Sequence, residues 1–174
     1  MYALKPDERI TPVMLYTRDT LVSGKLATKQ HVLRVNIWLR TASVPTYMHI
    51  LESHVAVFTG GSAPITLTCP EIYFPVSELI AFHTMPPTDE PLDYESTEAN
   101  RTMQAVKAIV GTFLMKGYIR MSTQTDIEQN LEIVGAAWMS LYDVEISNLS
   151  VPRMPVLRTP MLLLNPMRVT FAVE

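Results

Sequence analysis

Four histidines, one cysteine and two recurring acids are the residues of this 174-residue chain whose types could do chemistry. His49 and His54 are five apart, so on an unbroken strand they point to opposite faces and cannot share a metal; a bulge between them would reverse that. His31 and His83 stand alone in the sequence. Cys69 would need a converging histidine and an orienting polar group to act as a nucleophile, and it excludes an intrachain disulfide because it is the single cysteine. Glu52 and Asp143 draw more attention, because each sits in the middle of a similar apolar stretch, "YMHILESHVAVF" and "WMSLYDVEISNL". As a catalytic pair they would have to converge to within about 10 Å. The competing reading is that each accepts backbone N–H groups at a bend in its strand. "TGGSAP" lacks the lysine and the following helix of a phosphate loop and reads as a hairpin connection. No cofactor and no catalytic or metal-ligating set is expected.

The elements that carry these residues show a repeat. Gly24 falls over Gly117, Tyr47 over Trp138 and Pro70 over Pro160, with spacings of 23 and 23 residues in the first half against 21 and 22 in the second. The stretch "EIYFPVSELIAF" then lies over "MLLLNPMRVTF". Such self-similarity predicts a tandem duplication. It divides the chain into residues 10–83, a linker at 84–102 and residues 103–173. The linker holds three prolines and five acids between Thr84 and Asn100 and reads as exposed, ending in a short helix capped by Ser96 or Thr97.

Within each half the apolar period is two. In "FLMKGYIRM", Phe113, Met115, Ile119 and Met121 share a face, and Gly117 lies on that face where another backbone can approach or the strand can bend. Gly24 takes the matching place. Met48 and Ile50 are even, whereas Val55 and Val57 are odd; Met139 and Leu141 give way likewise to Val144 and Ile146. That phase switch predicts a bulge or bend at Glu52 and Asp143. "TDIEQNLEIV" reads as a helix with Thr125 and Glu128 as capping box. "HVLRVNIWLR" fits a helical turn or a strand. The prolines of "VPRMPVLRTP" predict an extended edge segment.

The aromatic-led strand with a central acid, in "DIEQNLEIVGAAWMSLYDVEI", carries Trp138, Leu141, Asp143 and Ile146. It resembles a small family of uncharacterised bacterial domains whose copies have an Arg-Leu-Ser-Asp-type turn followed by a Phe-Leu-x-Leu-Thr-Asp-Val-type strand. The first copy departs more, with Glu52 as the acid and Ile37 where a polar turn residue would stand. That family brings no activity with it. More coarsely, each half is similar to small bent five-stranded barrels of the Sm-like or SH3-like kind. The expected fold is therefore mainly β: two tandem small barrels with short helices in their connections. The likeness implies assembly through exposed edge strands, with three fused pairs forming a pseudo-six-membered ring. The loop motifs by which Sm proteins bind RNA have no equivalent in "CPEIYFPVSE" or "TPMLLLNPMR".

Composition narrows the function further. Apolar residues make up 48% of the chain and charged residues 18%, so either apolar surface is kept for a partner or for self-association, or the thirteen prolines and many Thr and Ser cover the outside. Residues 1–92 carry seven basic and eight acidic side chains and residues 93–174 seven and nine, so no basic cluster suits a phosphate backbone. No apolar run reaches the roughly 18–20 residues that span a bilayer, and "MYALKPDERITP" has charges where a signal peptide needs an apolar run. The expectation is a cytoplasmic, non-enzymatic structural or interaction module that forms homo-oligomers or binds a protein partner. An Sm-like nucleic-acid binder and an enzyme with a carboxylate or histidine site at the repeat junction are the alternatives.

Overall fold

A computed structural model describes residues 2–61, 63–88, 90–135 and 138–173. Alternating burial shapes the strands: in β1 (Glu8–Tyr16), Thr11, Val13 and Leu15 turn inward, and in β2 (Thr20–Lys29), Val22, Gly24, Leu26 and Thr28 do. After them come α1 (Val35–Trp38), β3 (Tyr47–Val57), β4 (Ile65–Pro75), a 3₁₀ turn (Val76–Glu78) and β5 (Ala81–Thr84). The second half runs β6 (Arg101–Val110), β7 (Phe113–Ser122), α2 (Ile127–Val134), β8 (Met139–Asn148), β9 (Leu157–Leu164), a 3₁₀ turn (Pro166–Arg168) and β10 (Thr170–Val173).

All ten strands form one antiparallel sheet in the order β10-β6-β7-β8-β9-β5-β1-β2-β3-β4. The two expected tandem barrels are not closed: the halves share this one continuous ladder, which ends at β10 and β4. The reason is β5, which pairs on one side with β1 and on the other with β9. Within the ladder the strand order 5-1-2-3-4 has the counterpart 10-6-7-8-9. Two apolar clusters lie under the sheet, and the larger draws on both halves. Tyr16, Phe58, Ile80 and Ala81 from the first half pack there with Phe113, Met115 and Leu162. Edge-to-face rings join Tyr16 and Phe58 to Phe113 at 5.1 and 5.2 Å. Above that contact the β6–β7 turn touches the β1–β2 turn, where Thr112 N–H donates to the Arg18 carbonyl at 2.8 Å.

Several local expectations are corrected. The segment 96–100 forms turns, not a capped helix, and Arg101 already opens β6, because Val106, Ala108 and Val110 bury at period two against β7. The capping box of α2 is Asp126 with Gln129, one residue on from Thr125 and Glu128: the Asp126 carboxylate accepts from Gln129 N–H at 2.8 Å. "HVLRVNIWLR" contains the short helix α1. The segment after Val156 forms β9, paired on one side with β8; on the other side β5 reaches only Leu163 and Leu164, so residues 157–160 keep an open edge. The "TGGSAP" connection joins β3 to β4, with Ser62 outside the described residues.

The linker is fastened rather than free, although Asp89 lies outside the described residues. Glu90 accepts from the N–H groups of Val35 and Asn36 at 2.7 and 3.2 Å, at the start of α1. Asp93 accepts from Ser140 and Tyr142 hydroxyls at 2.6 and 2.7 Å and pairs with Arg40 at 2.6 Å. One carboxylate thus ties the first half to β8. Tyr94 lies edge-on to Tyr142 at 4.9 Å and under the Arg120 guanidinium at 4.7 Å.

Candidate interaction surface

The two glycines and two acids meet at matching irregularities. The β2–β3 register shifts between Ser23 and Lys25, beside Gly24, and the β7–β8 register shifts between Lys116 and Tyr118, beside Gly117. Opposite these shifts Glu52 and Asp143 both have φ of 49°, a left-handed conformation that non-glycine residues adopt rarely. A Cβ on Gly24 would lie 2.5 Å from Ile50 Cγ2, and one on Gly117 2.7 Å from the Tyr142 carbonyl oxygen. The phase of burial reverses at each acid, from Met48 and Ile50 to Ser53 and from Leu141 to Val144. Glu52 pairs with Lys25 rather than with backbone N–H groups, and it is exposed, as is Asp143. Glu52 on β3 and Asp143 on β8 stand five ladder steps apart, roughly 24 Å measured along the sheet at about 4.8 Å per step.

The reversal also turns His49 and His54 to the same outer face of β3. His49 Nε2 contacts Glu71 at 3.0 Å, and its ring stacks on Tyr73 at 4.6 Å and meets Tyr2 edge-on at 4.5 Å. His54 Nδ1 lies 3.3 Å from Thr68 Oγ1. His31 is exposed. His83 is buried on β5, where its Nδ1 lies 2.9 Å from the Thr84 carbonyl and its Nε2 3.0 Å from Tyr16 Oη. Those partners place the proton on Nδ1 and make Nε2 an acceptor of the tyrosine hydroxyl. Burial pushes the His83 pKa down, opposed only by the Thr84 carbonyl, and burial raises that of Tyr16. Cys69 is half-buried on β4 opposite Ser53, whose hydroxyl donates to the Cys69 carbonyl at 3.1 Å. Among the described residues no three His, Cys, Asp or Glu side chains gather as metal ligands.

Asp93 is half-buried and engaged by Ser140, Tyr142 and Arg40 together. Burial pushes its pKa up, but hydrogen bonds from Ser140, Tyr142 and Arg40 outweigh this and hold it below the usual carboxylate range. That group ties the linker to Arg40 and to β8 within the one chain, and no sequence pattern marks it. A cavity of about 480 Å³ beside Asp143 is lined by the ion pair of Arg158 with Glu145, 2.6 Å apart, and by Pro160.

The ladder's two ends carry exposed apolar side chains. Seven of the eleven residues of β4 are exposed, including Ile65, Leu67 and Tyr73, the last at 62%. Its counterpart β9 is buried from Met161 to Leu164, because β5 lies alongside. Tyr47 is 55% exposed, whereas its counterpart Trp138 packs partly buried on the core of the first half. At the other end, β10 leaves Val173 open at 53%, and Met167 just before it is exposed at 71%. Pro70 is exposed at the centre of β4, and Pro160 is exposed on β9. Apolar edges of this length are sites for strand pairing unless covered. Comparison with family models, with curated proteins and with solved structures finds no match. No helix among the described residues is long and apolar enough to cross a membrane.

Proposed function

We propose that this protein is a non-enzymatic structural or interaction module of the cytoplasm, built from two tandem copies of a small Sm-like domain, that self-associates through its sheet edges. The observation that carries the reading is the pair of open ladder ends, β4 and β10, with exposed Ile65, Leu67, Tyr73 and Val173 along them. A β-strand edge with apolar side chains gains backbone hydrogen bonds and apolar burial together when another strand adds to it. What supports the duplication is the recurrence of strand order and of the left-handed acids opposite Gly24 and Gly117. The module acts by joining chains and takes no cofactor.

The test is light-scattering mass on a sizing column, with absorbance at 260 and 280 nm on the same peak. The expected result is a mass that is a multiple of 19.6 kDa with a protein-like absorbance ratio. A monomeric mass overturns self-association. A peak rich in absorbance at 260 nm, lost at high salt, replaces it with the nucleic-acid reading.

A further inference from the structure

The molecule already contains one joint between its halves, and that joint is a template for a second one. At the internal joint, β9 pairs with β5 through Leu164 with Ala81 and Leu163 with Phe82. The hairpin registers align the two halves residue by residue. Val13 faces Gly24 as Val106 faces Gly117, and these same residues face Thr84 and Val173. Phe171 therefore stands where Phe82 stands, and Thr170 where Ala81 stands. Likewise Ile50 faces Ile72 as Leu141 faces Leu162, which puts Tyr73 in the place of Leu163 and Phe74 in that of Leu164.

We infer that β4 of one copy pairs antiparallel with β10 of a second copy of this chain, Tyr73 facing Phe171 and Phe74 facing Thr170. This rests on the self-association proposed above and specifies which edges join and in what register. The exposure differences fit it. Leu163 is fully buried in the core of the first half, whereas Tyr73 is exposed; Trp138 packs on that same core, whereas Tyr47 is exposed. Leu163 and Trp138, both covered inside the chain, thus have uncovered counterparts in Tyr73 and Tyr47, whereas Phe74, the counterpart of Leu164, is already buried.

Charge follows the same pattern. At the internal joint Arg168 donates to the Ser77 carbonyl and lies 3.5 Å from Glu78. Aligning the two 3₁₀ turns puts Glu78 in the position of Arg168. At a β4·β10 joint Glu78 therefore approaches the turn that carries the neighbour's Arg168, again with opposite sign. Pairing β4 with β4 repeats neither the register of the internal joint nor its opposite-sign turns, since it sets Glu78 near the end of a strand without Arg168. One feature is weaker than in the template: Asn165 N–H donates to the Ile80 carbonyl at 2.8 Å, and Pro75 in its place has no N–H. A joint between unlike edges leaves one free edge of each kind on every assembly until it closes on itself or grows as a filament.

Cysteine cross-linking reads the register, because directly opposed antiparallel residues have Cα separations that a disulfide accepts. In a Cys69→Ser background, Tyr73→Cys and Phe171→Cys chains are oxidised alone and mixed after exchange. The expected product is a cross-linked pair of about twice 19.6 kDa in the mixture and in neither chain alone. Glu71→Cys with Val173→Cys, both at exposed positions of the same extended register, gives the same reading should Phe171→Cys fail to fold. Cross-linking of Tyr73→Cys with itself, or no product in either mixture while the mass stays a multiple, overturns this inference and leaves self-association standing. A monomeric mass overturns both.

Discussion

Replacing Gly111 by alanine strikes the place where the two halves touch at their turns. Gly111 has φ of 57°, and a Cβ there would lie 1.7 Å from the Arg18 carbonyl oxygen and 2.4 Å from its carbon. Both obstacles are backbone atoms, so no rotamer change relieves them, and the β1–β2 turn has to move away. Three contributions add. The left-handed backbone costs an alanine about 1–2 kcal/mol, offset by ~0.4–1 kcal/mol from a less flexible unfolded chain. Displacing packed neighbours costs ~1–3 kcal/mol. Losing the bond from Thr112 N–H to the Arg18 carbonyl costs about 1 kcal/mol. The sum is roughly 3–5 kcal/mol, a lowering of Tm by about 6–20 °C for a chain of this length. Gly60 is the internal control: its φ is 84°, but nothing lies within 4 Å of the added Cβ. Gly60→Ala is therefore expected to cost only about 1 kcal/mol, the backbone part alone. Denaturant unfolding of the two variants isolates the collision as their difference. Equal losses in Gly111→Ala and Gly60→Ala would refute the contact between the turns.

Two further outcomes are expected. Asp93→Asn removes the charge that holds Arg40 and weakens acceptance from Ser140 and Tyr142, costing about 1–3 kcal/mol; limited proteolysis should then cut within residues 84–100 faster than in the parent, and an unchanged cutting rate would deny the fastening. His83 has a lowered pKa in the fold, so its stabilising neutral form is fully present above the unfolded value of about 6.5 and the contribution is lost as pH falls below it, until the folded pKa is reached. Denaturant stability should fall between pH 7.5 and 5.5, and His83→Phe should flatten that step.

Much of the layout was legible in local pattern. The strands follow from period-two burial, as in Phe113, Met115, Ile119 and Met121 of β7. The bends at Glu52 and Asp143 follow from the reversed apolar phase around them, since an extra residue in a ladder has to swap faces. Local pattern caught the linker's exposure, as at Pro86, Pro87, Pro91 and residues 95–100, but not its fastening, because Glu90 and Asp93 find N–H, hydroxyl and guanidinium partners far along the chain. It also misplaced the start of α2 by one residue, because Thr125 and Asp126 are both able caps and only the backbone angle of Asp126 decides between them.

By itself, then, the sequence determined a mainly β chain with period-two strands, two glycine-lined bends and few charges, because face alternation and backbone sterics act over a few residues. The tertiary structure decided that Ala81 and Phe82 lie between Tyr16 and Leu15 on one side and Leu164 and Leu163 on the other. That pairing merges two halves into one sheet and buries Leu163 while leaving Tyr73 open. Which edge of a strand finds a partner depends on residues about 80 positions away, and no local periodicity records it.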